Sequence, residues 1–322
     1  MRLTKAISVA ALCLGLGLAQ GASAQTYPAQ DIKFVTAFPP GSGADIITRF
    51  VAEKIRAKAK RTVIVENKVG AAGNVAIEFV ARSKPDGYTM LLLTGSSVAA
   101  SMHLFKTPPV DVQKAFRVAA TISKQAFMLV VDSKSPYKTV QELTDAMKKK
   151  GPGASYAVSA PSGIVMGELY KALSGVQAVE VRFRTGGDSL NELASGKIDY
   201  AMLDPQLSLA QSAQGKLRIL AQSAGSRFKF RPDIPTMAEN GIKGMDLTGW
   251  WAIIVPAETP RLIIDQINAW TDEILKEKDV QDFLAKTGGD AFTSSADDAQ
   301  KFFVSEGKAW EEYVRIAKIE KQ

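Results

Sequence analysis

A repeating unit of apolar strand, small polar turn and helix runs through most of this chain and limits the folds that it can adopt. Strands that alternate with helices are typical of α/β proteins, in which helices flank the sheets. The continuous apolar run at 89–93 favours a strand that is covered on both faces, as in a parallel sheet. The predicted strands lie at 34–38, 62–65, 89–93, 127–131, 156–159, 179–183, 198–203, 217–221 and 250–256.

The first of these turns, at residues 39–45, has the composition of an anion-binding turn. Its two prolines end the strand, because proline cannot donate to a sheet ladder. The Gly-Ser-Gly sequence that follows lets the backbone turn with its amides exposed, and Ser42 or Asp45 can cap the next helix. Free amides at a helix N-terminus favour an anion. An ordinary strand-to-helix turn is the alternative, and a nucleotide P-loop is excluded because no Gly-Lys-Ser/Thr follows.

A second small polar turn, at residues 94–97, follows the apolar strand at 89–93. The carboxyl ends of neighbouring parallel strands lie at one edge of a sheet, where they form a crevice that suits a ligand. The sequence therefore predicts ligand contacts from several strand-end turns rather than from one motif.

The first 24 residues have the features of a cleaved export signal. Arg2 and Lys5 form a basic start, residues 6–19 form an apolar core, and Ala22-Ser23-Ala24 is a small-residue cleavage site. The apolar core is too short for a stable membrane anchor. We therefore expect export, cleavage after Ala24 and a soluble product.

Composition excludes several classes of function for residues 25–322. The chain's one cysteine lies in the leader, so thiol catalysis and a disulfide framework are excluded. His103 is the only histidine, so no His or Cys cluster with metal spacing exists, and we interpret His103 as a structural or surface residue rather than a catalyst. The net charge of +7 falls to +5 when Arg2 and Lys5 are removed. The basic clusters at 148–150 and 227–231 are short, so we interpret them as a solvated helix end and a loop rather than a nucleic-acid site.

Several motifs, in order and spacing, carry a family resemblance. They are Tyr27-Pro28, Phe38-Pro39-Pro40-Gly41 with Asp45, Val65-Glu66-Asn67 before Gly70-Ala71-Ala72-Gly73-Asn74, Pro85-Asp86-Gly87-Tyr88-Thr89, Asp233-Ile234-Pro235-Thr236 and Trp250-Trp251. The chain resembles, over essentially all of residues 25–322, the Bug family of periplasmic solute-binding receptors of tripartite tricarboxylate transporters.

The resemblance implies a two-domain α/β periplasmic binding protein of the type II-like Venus-flytrap kind, each domain a mainly parallel sheet flanked by helices. Domain 1 would comprise residues 25–124 and 252–322, and domain 2 residues 125–251. The protein would bind a small mono- or dicarboxylate, without cofactor, metal or nucleic acid, and would work as a monomer with membrane transporter subunits. The ligand-binding residues implied are Phe38, Pro40, Gly41, Ser42, Gly43, Asp45, Thr94, Gly95, Ser96, Ser97, Ser159, Ser162, Gly163, Arg184, Thr185, Gly186 and Asp204.

Two departures from the family pattern lie in domain 2, where the distal end of a ligand would be recognised. The segment after Ser159 is short, apolar and lacks the family's histidine, and Phe183-Arg184-Thr185 stands where the family has Tyr-Lys-Gly. Arg184 either pairs with a second anionic group or points to solvent, and Asp204 either contacts the ligand or caps the helix that starts at Pro205. The alternative functions are an orphan carboxylate sensor that signals to a partner, and an unidentified hydrolase or isomerase.

Overall fold

The computed structural model describes residues 27–108, 110–159 and 161–321. The predicted export signal at 1–24 lies outside the described residues. Among the residues that are described, no helix is both long and apolar enough to cross a membrane.

The strands form two separate mixed sheets. The larger sheet has the order β11-β4-β10-β3-β1-β2 and the smaller one β7-β6-β8-β5-β9. The strands are β1 (Ile32–Thr36), β2 (Val63–Asn67), β3 (Thr89–Thr94), β4 (Phe116–Ala126), β5 (Met128–Asp132), β6 (Ala154–Val158), β7 (Ala178–Arg182), β8 (Tyr200–Leu203), β9 (Leu217–Gln222), β10 (Thr248–Pro256) and β11 (Gly289–Ala291).

Helices connect the strands and cover the sheets. They are α1 (Gly43–Ala59), α2 (Asn74–Ala81), α3 (Gly95–Leu104), α4 (Val112–Ala115), α5 (Val140–Lys150), α6 (Pro161–Ser174), α7 (Leu190–Ala194), α8 (Pro205–Ala213), α9 (Arg261–Leu275), α10 (Lys278–Lys286) and α11 (Ala296–Ile316). Short 3₁₀ segments stand before α2 (Ala71–Gly73), after α5 (Gly151–Gly153) and before α7 (Gly186–Ser189). The α/β class predicted from the repeating pattern, and the two-domain architecture implied by the resemblance, are thereby confirmed.

The expectation of mainly parallel sheets is wrong. Strand β1 is parallel to both β2 and β3, and β6 is parallel to both β7 and β8. Strand β10, however, is antiparallel to β3 and β4, and β5 is antiparallel to β8 and β9. The cause is that β4 and β10 are the strands by which the chain leaves the larger sheet and returns to it, so they run in opposite directions.

The two chain crossings between the sheets lie side by side. Strand β4 ends at Ala126 and β5 begins at Met128, so a single residue separates the larger sheet from the smaller one. The return crossing enters β10 at Thr248, which is the register partner of Ala126. Paired crossings of this kind permit hinge motion of one domain against the other. The domain boundaries at 124/125 and 251/252 stay a prediction.

Two elements differ from the predicted pattern. The sequence pattern does not predict strand β4. Ten of its 11 residues are buried or partly buried, so both of its faces are covered and its sequence lacks the alternation of polar and apolar residues that marks a half-exposed strand. The predicted turn at 94–97 is instead the end of β3 followed by the first turn of α3, which begins at Gly95. Only glycine fits at this position, because a Cβ on Gly95 would lie 2.2 Å from the buried ring of Trp250.

Candidate functional site

A cleft of about 730 Å³ lies between the two sheets, at the ends of the strands. Domain 1 contributes the ends of β1 and β3, the starts of α1 and α3, and the loop before α2. Domain 2 contributes the starts of α6 and α8 and the 3₁₀ segment before α7. The lining residues are Ala37, Phe38, Pro39, Ser42, Gly43, Ala44, Val69, Gly70, Ala71, Gly73, Leu93, Thr94, Ser96, Ser97, Gln125, Phe127, Ser159, Ser162, Gly186, Gly187, Asp204, Gln206, Leu207 and Trp251.

The turn into α1 is held in shape by a buried carboxylate. Asp45 is 1% exposed, and its Oδ2 accepts hydrogen bonds from the Gly41 amide and from Arg49 Nε, each at 2.8 Å. Its Oδ1 accepts from Asn67 Nδ2 at 2.7 Å. Burial raises the pKa of Asp45, but the hydrogen bonds from Arg49, Asn67 and Gly41 outweigh it, so the pKa is lowered. Asp45 is therefore ionised and fixes the turn from behind.

Ser42 caps α1, as the sequence predicts. Its Oγ accepts a hydrogen bond from the Asp45 amide at 3.2 Å and donates one to the Pro39 carbonyl at 2.8 Å. Gly41 has a φ of +78°, which favours glycine, and its amide is already bound to Asp45. The amides that remain for a ligand are those of the first helical residues, Gly43 and Ala44, which have no acceptor within the helix.

Helix α3 presents a second N-terminus to the cleft. Thr94 is its N-cap residue but makes no side-chain capping bond. Its Oγ1 instead donates to Ser97 Oγ at 2.5 Å, and Ser96 and Ser97 both line the cleft. The first-turn amides of α3 are therefore free to donate hydrogen bonds to an anion, with the helix dipole behind them.

Domain 2 closes the cleft with the starts of its own helices. Ser159 and Ser162 bracket the start of α6, and Gly186 begins the 3₁₀ segment that Thr185 and Asp188 cap reciprocally. Gly186 packs so closely that a Cβ there would lie 2.6 Å from Leu207 Cδ2. The small residues predicted at these turns let the walls of the cleft approach each other.

Asp204 caps α8, which confirms its capping role, and its place in the cleft lining keeps ligand contact a prediction. Its Oδ1 accepts a hydrogen bond from the Leu207 amide at 2.8 Å. Burial raises the pKa of Asp204 above its ordinary value, although hydrogen bonds from the Leu207 and Gln206 amides oppose the shift. Among the described residues that line the cleft, Asp204 is the only ionisable one.

Helix α8 meets strand β4 of the larger sheet at one end of the cleft. Gln206 Nε2 of α8 donates to Gln125 Oε1 of β4 at 3.3 Å, and Trp251 Nε1 donates to the same oxygen at 3.2 Å. A Cβ on Gly43 would lie 3.8 Å from Gln206 Cβ. The start of α1 and the start of α8 therefore face each other across a narrow gap.

The structure brings most of the predicted ligand-binding residues together. Those that line the cleft are Phe38, Ser42, Gly43, Thr94, Ser96, Ser97, Ser159, Ser162, Gly186 and Asp204. Those outside its lining are Pro40, Gly41, Asp45, Gly95, Gly163, Arg184 and Thr185. Arg184 and Thr185 are exposed, whereas Gly163 is buried, and a Cβ on it would lie 2.8 Å from the Met202 carbonyl oxygen.

Sequence reasoning missed several lining residues. Two come from the strands of the larger sheet, Gln125 from β4 and Trp251 from β10. Phe127 lies between β4 and β5, and Gln206 and Leu207 belong to α8. Gln125 and Trp251 meet only through long-range strand pairing, so no local signal exists for them. Gln206 and Leu207 lie two and three residues after Asp204, within the first turn of α8, so extending the predicted site by one helical turn includes them.

The described residues hold no group of three His, Cys, Asp or Glu side chains that could bind a metal. His103 lies on α3 outside the cleft lining, and burial lowers its pKa.

A sequence profile described as the tripartite tricarboxylate transporter family receptor (TctC) matches residues 47–319. This chain belongs to that family. It is 26% identical to the protein BugT of Bordetella pertussis over 319 residues, which cover 98% of each chain. It is 28% identical to a Bordetella bronchiseptica protein over 302 residues, covering 92% of this chain and 88% of the relative.

Solved structures give the same result. A structure of R. palustris Rpa4515 with adipate has a TM-score of 0.83 at 25% identity, covering 92% of this chain and 100% of that one. The periplasmic binding protein BugD has a TM-score of 0.79 at 26% identity, with the same coverage. The resemblance to the Bug family that the turn motifs carry is thereby confirmed.

Proposed function

We propose that this chain is an exported receptor that captures a small organic carboxylate between its two domains and delivers it to the membrane subunits of a tripartite tricarboxylate-type transporter. The observation that carries the proposal is that helix N-termini from both domains line one cleft. Amides at helix N-termini are unsatisfied and carry partial positive charge, so they suit an anion. The adipate in the structure of the relative Rpa4515 supports the same ligand class.

In the proposed complex the carboxylate lies against domain 1. The first-turn amides of α1 and α3 and the hydroxyls of Ser96 and Ser97 hydrogen-bond to it, while Ser42 and Asp45 keep the α1 turn in place. The body of the ligand then extends between the apolar walls toward domain 2. Binding between two hinged domains favours closure, so a ligand would reduce the radius of gyration in solution scattering.

The proposal places the working protein in the periplasm after removal of residues 1–24. Mass determination of the exported protein tests this directly, because cleavage after Ala24 leaves a chain that begins at Gln25. An unprocessed chain retained in the cytoplasm would contradict it.

A thermal-shift screen tests the binding function. The panel contains straight-chain mono- and diacids, hydroxy acids, tricarboxylates and aromatic acids, with sugars and cationic amines for comparison. A ligand at 100 times its dissociation constant stabilises a protein by about 2.7 kcal/mol. We expect at least one acid to raise the melting temperature without being transformed. Stabilisation by sugars or amines alone would overturn the carboxylate assignment.

A further inference from the structure

The charges in the cleft are unusual for a site that would hold two carboxylates. No Lys, Arg or His is among the described residues that line it, and Asp204 is its one ionisable group. A buried carboxylate is stable only when hydrogen bonds or an opposite charge compensate the lost hydration. The cleft therefore has to compensate a bound carboxylate with hydrogen bonds from amides and hydroxyls. Its two walls differ in how many of these donors are uncommitted.

The domain 1 wall has uncommitted donors, whereas the α8 start in the domain 2 wall does not. The α8 N-terminus is already capped by Asp204, whose Oδ1 takes the Leu207 amide at 2.8 Å. In the 3₁₀ segment at Gly186, Thr185 and Asp188 take each other's amides, so this part of the wall offers only the amides of Gly186 and Gly187. Dicarboxylates would have to place their second charge against this wall, beside the carboxylate of Asp204.

Nearby cations do not reach into the cleft. Arg49 is bound to Asp45 at 2.8 Å and to Asn67 at 3.0 Å. Arg184, which the sequence offers as a partner for a second anionic group, is exposed and outside the lining. The structure thus favours the solvent-facing alternative for Arg184.

The space between the two walls is apolar. Phe38, Val69, Leu93, Phe127, Leu207 and Trp251 line it. Val69 is 52% exposed, and the Phe38 and Trp251 rings lie with their centroids 5.5 Å apart. Exposed apolar surface in a concave site gains about 25 cal/mol for each Å² that a ligand covers, which favours a hydrocarbon or aromatic body.

We propose that the cleft selects ligands with a single carboxylate and an uncharged, mostly apolar body, and that Asp204 disfavours a second carboxylate. This inference rests on the proposed carboxylate-binding function. Like charges brought together in a binding site cost several kcal/mol, so the position of Asp204 opposes diacids more than any other residue in the lining. Burial, which raises the pKa of Asp204, shows the same poor tolerance of negative charge at this wall. The ligand class differs from the adipate bound by Rpa4515, a protein only 25% identical to this chain.

The test compares each diacid of the panel with its own monomethyl ester, for example adipate with monomethyl adipate and terephthalate with monomethyl terephthalate. The two members of a pair share their shape and differ in one charge. Titration calorimetry is expected to show that the monoester binds at least about tenfold more tightly, a difference of about 1.4 kcal/mol. Diacids that bind as tightly as their esters, or more tightly, would overturn the inference while leaving the carboxylate function intact. If no acid or ester binds, the proposed function itself fails.

Asp204→Asn tests the role of the residue. Asparagine also caps helices, so α8 keeps its N-cap while the charge is lost. We expect the preference for the monoester to shrink to less than about threefold, through tighter diacid binding. Asp145→Asn, an exposed acid on α5 of the same domain, serves as the matched control and should leave the ratio unchanged. An unchanged ratio in Asp204→Asn would overturn the role of Asp204, and the ester comparison in the unsubstituted protein decides the ligand class independently.

Discussion

Two concave regions of similar size lie beside strand β4, and they differ in how their polar groups are used. The ligand cleft contains Gln125, whereas a groove of about 800 Å³, here called the back groove, contains the neighbouring Lys124. Successive side chains of a strand point to opposite faces, so Lys124 and Gln125 reach different regions. The back groove is lined by Lys124, Ala224, Gly225, Ser226, Arg227, Phe228, Lys229, Phe230, Asp246, Thr248, Gln281, Asp282, Ala285, Gly289, Asp290 and Ala291.

Charge alone would point to the back groove as the anion site. Two of its three cations, however, already have partners: Arg227 Nε lies 2.9 Å from Glu239, and Lys124 Nζ lies 4.1 Å from the centre of the Phe292 ring. Asp246 accepts from the Gly225 amide at 2.7 Å. The cleft has one ionisable residue but uncommitted helix amides. The comparison teaches that available donors, rather than the number of charges, identify the place where an anion can bind.

The largest expected effect is a difference in stability between variants of two aspartates, Asp45 and Asp246, each of which accepts a hydrogen bond from a glycine amide. Asp45→Ala removes a buried group and leaves Asn67 and the Gly41 amide without their acceptor, at a cost of about 2–4 kcal/mol in the free energy of unfolding. Asp246→Ala, the counterpart beside the back groove, is exposed and should cost less than about 1 kcal/mol. Urea denaturation measures both. Equal losses would contradict the structural role given to Asp45.

The second prediction concerns ligand affinity at the α1 turn. Gly41→Val places a β-branched residue at a φ of +78°, which costs about 1–3 kcal/mol and displaces the turn. We expect about 30-fold weaker binding of whichever acid the screen identifies. Gly215→Val is the matched control, since Gly215 has a φ of +69° and, like Gly41, no atom within 4 Å of an added Cβ. It should lose similar stability with unchanged affinity; unchanged affinity in a folded Gly41→Val would rule out the turn as the anchor.

The third prediction uses a titrating group behind the hinge. Glu306 on α11 accepts a hydrogen bond from Trp250 Nε1 at 3.0 Å, and burial raises its pKa from 4.5 to about 7 in the presence of Lys124 and Asp246. Because the folded state holds this proton more tightly, stability is greatest below pH 4.5 and falls as the pH rises to about 7. Between pH 5 and pH 8 the free energy of unfolding should therefore fall in both proteins, and the fall should be about 1–2 kcal/mol smaller in Glu306→Gln than in the unsubstituted protein.

Denaturation at the two pH values measures this difference. Glu311→Gln, on an exposed position of the same helix, is the control and should follow the unsubstituted protein. Parallel stability curves for Glu306→Gln and the unsubstituted protein would show that Glu306 does not retain its proton in the fold.

The smallest effect is expected in the back groove. Arg227→Ala removes an exposed ion pair with Glu239, and such pairs contribute at most about 1 kcal/mol. Lys229→Ala removes an exposed side chain whose backbone amide, rather than its ammonium group, binds Asp290. Neither variant should change carboxylate affinity in calorimetry by more than about twofold. A large loss in either would mean that the back groove takes part in binding.

The sequence was sufficient for those parts of the cleft that depend on local chemistry. Ser42 as the cap of α1, Asp204 as the cap of α8 and the glycines at the turns follow from the conformations that these residue types prefer. The α/β class followed from the alternation of strands and helices. Serine and glycine are common both in turns and at helix starts. The composition of residues 94–97 therefore indicates a turn, although α3 starts at Gly95.

What the sequence did not show depends on long-range pairing. Strand β4 is buried over most of its length, and its partners β10 and β11 lie more than 100 residues away in the chain. Gln125 enters the cleft only because Trp251 and Gln206 meet it from distant segments. Arg184 follows β7 and is exposed. No local sequence pattern distinguishes a cation that points to solvent from one that points into a cleft.

A crystal structure of the protein with the tightest-binding acid of the panel tests the central claim most directly. The account predicts the ligand carboxylate in the cleft, about 3 Å from first-turn amides of α1 or α3, with its uncharged body between Phe38, Phe127 and Trp251. A carboxylate bound in the back groove beside Lys124 or Arg227 would contradict the account.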